Sequence, residues 1–270
     1  MRLVVAFLTC AAALTVYASI QTKHNLGVEA YPGETEHEDS GVPPDADEQT
    51  EWCFAKLRYR NHPMYSPSAG YRQSWGIDSP KAERQFSMGV KRLTRIHTRS
   101  IEEVINLSND EVFNYPWLYA VEVGHWYIDD HEAAKLREYL LRGGFLMTDD
   151  FHGVVEWRTF MEGMEKIFPD RPVVDIEEKD PINHVLYDLV NMIQVPGIQY
   201  WYTGSISEHG GVIPRWRGIY DDKGRIMVAM CHNQDNGDAW EWSDSPRYPE
   251  KYASQAYKMG INYLIYSMTH

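Results

Sequence analysis

Basic residues are in short supply in this chain. Its 26 Lys and Arg face 39 Asp and Glu, a formal net charge of −13 at pH 7, and they nowhere gather into a patch. Proteins hold a phosphate backbone mainly through such patches, so nucleic acid is excluded as a class of partner. Cysteine is scarcer: only Cys10, Cys53 and Cys231 occur in 270 residues. Three thiols make no disulfide framework, and none stands at the spacing of a two-cysteine zinc or redox motif. The HExxH zinc motif is missing, as are the glycine patterns of nucleotide and flavin sites and any internal repeat.

What is present divides the chain into three. Residues 1–18 read as a signal peptide or an N-terminal anchor. Leu3 to Ile20 carry no charge, follow the single Arg2, and contain the small-x-small pattern Val16-Tyr17-Ala18 that signal peptidase cuts. Cleavage implies an exported chain, periplasmic or secreted. The alternative is a membrane tether through residues 1–20, since this run approaches the ~20 apolar residues of a spanning helix. Residues 19–50 read as an acidic disordered linker: between Glu29 and Glu51 there are nine acidic residues, no Lys or Arg, and Pro32, Gly33, Gly41, Pro43 and Pro44. That composition buries too little apolar surface to offset the entropy of ordering it. Residues 51–270 read as a single domain. Within it Cys53 and Cys231 are either a bridge or two buried thiols.

The domain is organised around Glu138 to Gly153, EYLLRGGFLMTDDFHG. An amphipathic helix stops at Gly143-Gly144, a buried strand follows from Phe145, and an acidic turn enters the next helix. This is half of a βαβ unit, so the expected fold is α/β with a mainly parallel sheet flanked by helices. Earlier in the chain, Cys53 to Arg58 alternates as a first strand, and Ser79-Pro80 starts a helix whose stripe is Phe86, Gly89, Val90 and Leu93. Ile101 to Leu107 reads as a short strand, and Trp117 to Val123 as a buried one. Asp129 and Glu132 have capping-box spacing for the helix ending at Arg142. Trp157, Phe160, Met161, Met164 and Ile167 mark a sheet-facing helix, and Val173 to Ile176 a strand. Arg217 to Tyr220 and Arg225 to Cys231 form a late β-hairpin around Asp221-Asp222-Lys223-Gly224. A last helix from Pro249 puts Tyr257, Gly260, Ile261, Leu264, Ile265 and Met268 on one side.

Several of these stretches resemble one family. FAKLRY near the start, Tyr115-Pro116-Trp117-Leu118-Tyr119 leading to Gly124-His125, LRGGFLMTDD, Phe168-Pro169-Asp170-Arg171-Pro172, and Asn233-x-Asp235 with Trp240-Glu241 are similar in type and order to the bacterial domain of unknown function 4159 family. The likeness covers roughly residues 51 to 270. It implies kinship with class I glutamine amidotransferase-like and flavodoxin-like folds. In the amidotransferases the strand after a Gly-Gly pair leads to a nucleophilic Cys. Here Asp149-Asp150 stand at that turn, and a carboxylate cannot form the thioester of glutamine hydrolysis, so glutaminase activity is not expected.

In parallel α/β folds ligands sit at the carboxyl ends of strands. His125, Asp149, Asp150 and His152 stand there, with His232, Asn233 and Asp235 after a late strand. Three readings apply. His125, Asp149 and His152 are a candidate divalent-metal set, with a metal-activated water as nucleophile. Asp149, Asp150 and His125 are the candidate catalytic groups, with or without metal. In the third reading Asp149 and Asp150 merely cap the next helix. Loop aromatics suggest a small polar or carbohydrate-like ligand, and the expected ligand-binding set is Tyr59, Arg60, Gly124, His125, Trp126, Asp149, Asp150, His152, Asn233, Asp235, Trp240 and Glu241. An interaction domain that engages an envelope protein partner is the remaining alternative.

Overall fold

A computed structural model describes residues 43–66, 68 and 73–270; the signal or anchor segment, the linker up to residue 42, and Tyr71 lie outside the described residues. The strands, in chain order, are β1 (Ala55–Arg58), β2 (Arg60–Asn61), β3 (Glu103–Asn106), β4 (Trp117–Val121), β5 (Trp126–Tyr127), β6 (Phe145–Asp149), β7 (Val174–Asp175), β8 (Arg215–Tyr220) and β9 (Ile226–His232). The helices are α1 (Lys81–Leu93), α2 (Asp130–Leu141), α3 (Gly153–Ile167), the short α4 (Tyr200–Thr203) and α5 (Asn236–Glu241), and α6 (Glu250–Thr269). One sheet of seven strands runs in the order β3-β1-β4-β6-β9-β8-β7. Its first five strands are mutually parallel; β8 then pairs antiparallel with β9 as the late hairpin, and β7 pairs antiparallel with β8. β2 and β5 pair separately as a small antiparallel ribbon.

The sheet is covered on both faces, which is why β4 and β6 are apolar almost throughout. Side chains alternate across a strand, so Trp117, Tyr119, Val121, Phe145 and Met147 face the layer of α1 and α6. Leu118, Ala120 and Leu146 face α2 and α3. Helix α2 begins with the expected capping box: Asp129 accepts the Glu132 amide and Glu132 accepts the Asp129 amide, each at 2.9 Å. Such a cap contributes about 1 kcal/mol and fixes where the helix starts. No helix among the described residues is long and apolar enough to cross a membrane.

Several sequence expectations need correction. Ser79 is not an N-cap. Helix α1 begins at Lys81, and the Ser79 hydroxyl serves the buried pair of Lys56 and Glu83, 2.6 Å from each. A buried ammonium must find acceptors, and Lys56 takes Ser79, the Ile77 carbonyl and Glu83. Leu93 and Met268 fall in the last turns of α1 and α6 and are exposed rather than core. β4 stops at Val121, because Glu122 turns into left-handed backbone. The linker also ends earlier than composition suggests: Asp45 accepts Lys91 Nζ at 2.5 Å and the Ser100 amide at 3.0 Å, which docks residues 45–50 on the domain. Cys53 and Cys231 are both free, buried thiols.

Candidate functional site

Counted by order along the chain, the five parallel strands lie as 2-1-3-4-5 across the sheet. The direction of winding reverses between β1 and β4, and the crevice at their carboxyl ends is where such sheets hold ligands. β4 delivers Glu122 and His125 there. Glu122 has φ +53°, and a single 3-10 turn, Val123–His125, follows it. Tyr59, just past β1, pins this bend by donating its hydroxyl to the carbonyls of Val121 (2.7 Å) and Glu122 (2.8 Å). As a result Glu122 Oε2 lies 3.0 Å from His125 Nδ1. Glu156 of α3 reaches the other ring nitrogen, with Oε1 3.7 Å from Nε2. Gly124 permits that approach, since a Cβ there would collide with the Glu156 side chain. Tyr65 stacks on the His125 ring at 3.9 Å between centroids.

β6 delivers the second group. Asp150, at φ +51°, places Oδ1 3.0 Å from His152 Nε2, and Glu208 Oε1 lies 3.9 Å from the same nitrogen. Asn233, after β9, braces this turn by accepting the Gly153 amide at 2.8 Å. Gly153 is required: its φ is +66°, and a Cβ would strike the His209 carbonyl. Glu156 joins the two groups. Its Oε2 accepts the His152 amide at 2.5 Å, and its Oε1 meets His209 Nδ1 at 2.5 Å.

Backbone strain concentrates here. Of the six non-glycine residues at positive φ among the described residues, Glu122, Asp150, His209 and Asn233 frame these two groups and Asp78 lies in a third acidic cluster. Left-handed backbone costs a non-glycine residue about 1 kcal/mol or more, and such residues gather where a site demands a particular aim.

The charges are poorly balanced. Among the described residues no Lys or Arg forms an ion pair with Glu122, Asp150, Glu156 or Glu208; their partners are imidazoles. Burial, with the charge of Glu156, pushes the Glu122 carboxyl well above the ordinary range. Burial, with Glu122 and Glu208, does the same to Asp150. Glu208 is pushed up to about 7 by burial and by Asp238. Glu156 goes the other way: burial opposes its charge, yet hydrogen bonds from His125, His209 and the His152 amide hold it down to about 2. The hydrogen bond to Glu156 raises His209, and burial lowers His152 to about 4. Crowded carboxylates of this kind must hold protons or share a cation.

Two trios have the donor set for a cation: Glu122, His125 and Glu156, and Asp150, His152 and Glu208, each with one ligand atom per residue within 4.8 Å of the others. Mixed imidazole and carboxylate donors suit divalent transition metals better than calcium or magnesium, which favour oxygen alone. The all-carboxylate cluster Asp78, Asp235 and Asp238 has the same compactness.

Of the expected site residues, the structure brings His125, Asp150 and His152 together, with Tyr59, Gly124 and Asn233 as their frame. Asp149 is not among them. Phe145 and Met147 face the α1 and α6 layer, so Asp149, two residues on, faces it too. There it takes the amides of Asn236 (2.7 Å) and Gly237 (3.0 Å) and the Tyr119 hydroxyl (3.1 Å). It therefore caps α5, and neither it nor Asp150 caps α3, whose N-cap is His152. Asp235 caps α5 as well, through the Asp238 amide. The Trp126 ring is buried beside Phe160, and Trp240 is buried against Phe86. Glu241 is buried in α5. Arg60 lies at the surface, paired with Asp129 and Glu132. The Trp126 and Trp240 rings are core, so neither offers a face to a ligand. A cleft of ≈ 410 Å³ lies at the amino-terminal ends of β4 and β6, lined by Phe113, Tyr115, Tyr139 and Arg142, and neither trio borders it.

Sequence reading missed Glu122, Glu156, Glu208 and His209. Glu122 was visible in principle as the acid ending a buried strand. Glu156 looks like the polar face of an amphipathic helix, and Glu208-His209 stand in a stretch with no periodicity.

The family model described as Domain of unknown function (DUF4159) matches residues 53–268. No curated protein matches the chain.

Proposed function

We propose that this chain, which belongs to the family described as Domain of unknown function (DUF4159), binds a divalent transition-metal cation between Glu122, His125 and Glu156 and hydrolyses a small polar substrate there. The observation that carries this reading is the trio itself: three buried or half-buried donors converge at the switch point of the sheet, with no Lys or Arg among the described residues to balance them. A divalent cation supplies Lewis acidity, polarising a carbonyl or phosphoryl oxygen and making water acidic enough to attack near neutral pH. Glu156 stays ionised and orients both His125 and His209. His209 has a side chain 65% exposed, and its Nδ1 is held by Glu156. It is the group placed to take a proton from the attacking water and return it to the leaving atom. Tyr59 and Gly124 position the trio.

The strand order supports placing the chain with the flavodoxin-like and class I glutamine amidotransferase-like folds, without the thiol of the latter. The uncharged run Leu3 to Ile20 supports export to the periplasm or beyond. The test is a panel of chromogenic esters, phosphate esters and glycosides, run with chelator and with metal restored. At least one substrate is expected to turn over only with metal, with loss in Glu122→Gln and a fall in kcat larger than any change in KM in His209→Gln. Turnover indifferent to chelator contradicts the reading. Tight metal binding with no turnover anywhere in the panel reduces it to cation-dependent ligand binding.

A further inference from the structure

We infer that Asp150, His152 and Glu208 form a second position for a divalent transition-metal cation, beside the first. This rests on the reading of the first trio as a cation site. Ligands about 2.0–2.1 Å from a tetrahedral cation lie about 3.3 Å from one another. The spacings from His152 Nε2, 3.0 Å to Asp150 and 3.9 Å to Glu208, bracket that value.

Three further observations point the same way. His152 is 3% exposed, and its Nδ1 has no hydrogen-bond partner, so the ring's polar engagement is through Nε2, which faces both carboxylates. A buried imidazole whose Nε2 is aimed at two acids presents the mixed donor set that a divalent transition metal takes, although its Nδ1 lacks the outer partner that commonly holds a ligating ring. The two trios are also mechanically joined. Glu156 holds the His152 amide with one oxygen and faces His125 with the other. Adjacent residues of a single loop serve both, Glu208 lying beside His152 and His209 beside Glu156. Finally, Glu122, Asp150, Glu156 and Glu208 carry four formal negative charges, which two divalent cations would match wherever protons do not. Two cations held close together would be able to stabilise both the attacking and the leaving oxygen of a displacement, which would suit an ester substrate, phosphate esters included.

The experiment is zinc stoichiometry on the full chain, stripped with chelator and dialysed against Zn²⁺ alone, read by elemental mass spectrometry, with circular dichroism confirming the fold of each variant. The wild type is expected to hold two equivalents. Glu208→Gln is the main variant, because Glu208 lies on a rim loop with its side chain 25% exposed and the substitution keeps its shape. It is expected to hold one equivalent, or to bind the second at least about tenfold more weakly, the usual loss when a metal site is disturbed. Glu122→Gln is expected to lose the other equivalent and keep this one. A single equivalent in the wild type that survives Glu208→Gln overturns the second position and leaves the first standing. A single equivalent lost in Glu208→Gln and kept in Glu122→Gln overturns the first. Loss of both equivalents in folded Glu208→Gln means one merged site and overturns a separate second position. No zinc at all overturns both.

Discussion

Asn236 donates its backbone amide to Asp149 Oδ2 and its side-chain amide to Asp149 Oδ1, each at 2.7 Å. With Gly237 and Tyr119 as further donors, the carboxylate is committed to the N-terminus of α5 and has nothing left for chemistry. Asp149→Ala should therefore destabilise the fold, by about 2–3 kcal/mol, because it orphans several buried donors at once. Urea denaturation measures this. Turnover per folded molecule should survive the substitution, whereas a catalytic Asp149 would lose turnover and keep its stability.

Gly124→Ala tests the approach of α3 to β4. The new methyl group would meet the Cβ of Glu156, whose own backbone is close behind it. Overpacking of this type costs about 1–3 kcal/mol. The more telling effect is at the site, since Glu156 must retreat from His125. Zinc affinity, measured by competition with a chromogenic chelator, should fall by about tenfold or more.

Lys56 and Glu83 are an ion pair buried beneath the loop that carries Asp78. Removing one partner strands a buried charge, so Lys56→Met should cost about 3–5 kcal/mol. Lys56→Met combined with Glu83→Leu should cost less than either change alone would suggest. A double-mutant cycle in urea gives the coupling directly; additive losses would show that the pair is not coupled.

The pH dependence of the metal-free protein follows from Glu208. Its carboxyl sits at about 7 in the folded protein against an ordinary 4.5. A raised folded value means that its contribution is fully present below 4.5 and is lost as pH climbs to 7. Glu208→Gln removes the titration. The stability of the wild type relative to this variant should therefore decline from pH 4.5 to pH 7, seen as converging or crossing urea midpoints. A constant difference across that range contradicts the assignment. His152 and His232, both held at about 4 by burial, act in the opposite sense: their contribution is present above 6.5 and is lost as pH falls towards 4. Both imidazoles are present in the two proteins, so the comparison reads the Glu208 titration together with any change that the substitution makes in His152, 3.9 Å away.

The central sheet was legible because β1, β4, β6 and the late hairpin each carry a local signal of alternation or an unbroken apolar run. The capping box of Asp129 and Glu132 was equally local. Helix ends were less so: Ser79 has the residue type of a cap, but a buried lysine 23 positions away claims its hydroxyl. In the site, His125, Asp150 and His152 could be found from their place after strands. Asp149 could not be told from Asp150, because which of two adjacent acids faces α5 depends on strand parity and on a helix nearly 90 residues later. Glu156, Glu208 and His209 meet only through tertiary packing, and no spacing announces them. The loop aromatics misled for a related reason: Trp126 and Trp240 are in short elements whose rings turn inward to fill the core.

The most direct measurement is the metal content of the protein purified from its native source without chelator or affinity-tag histidines and read by elemental mass spectrometry. Glu122→Gln is the decisive companion, since glutamine keeps the shape of the carboxyl while removing a charged ligand. At least one equivalent of a transition metal is expected, reduced by one in Glu122→Gln and unchanged in Asp149→Asn. No bound metal, or metal whose amount is the same in Glu122→Gln and in the wild type, contradicts a cation bound at Glu122.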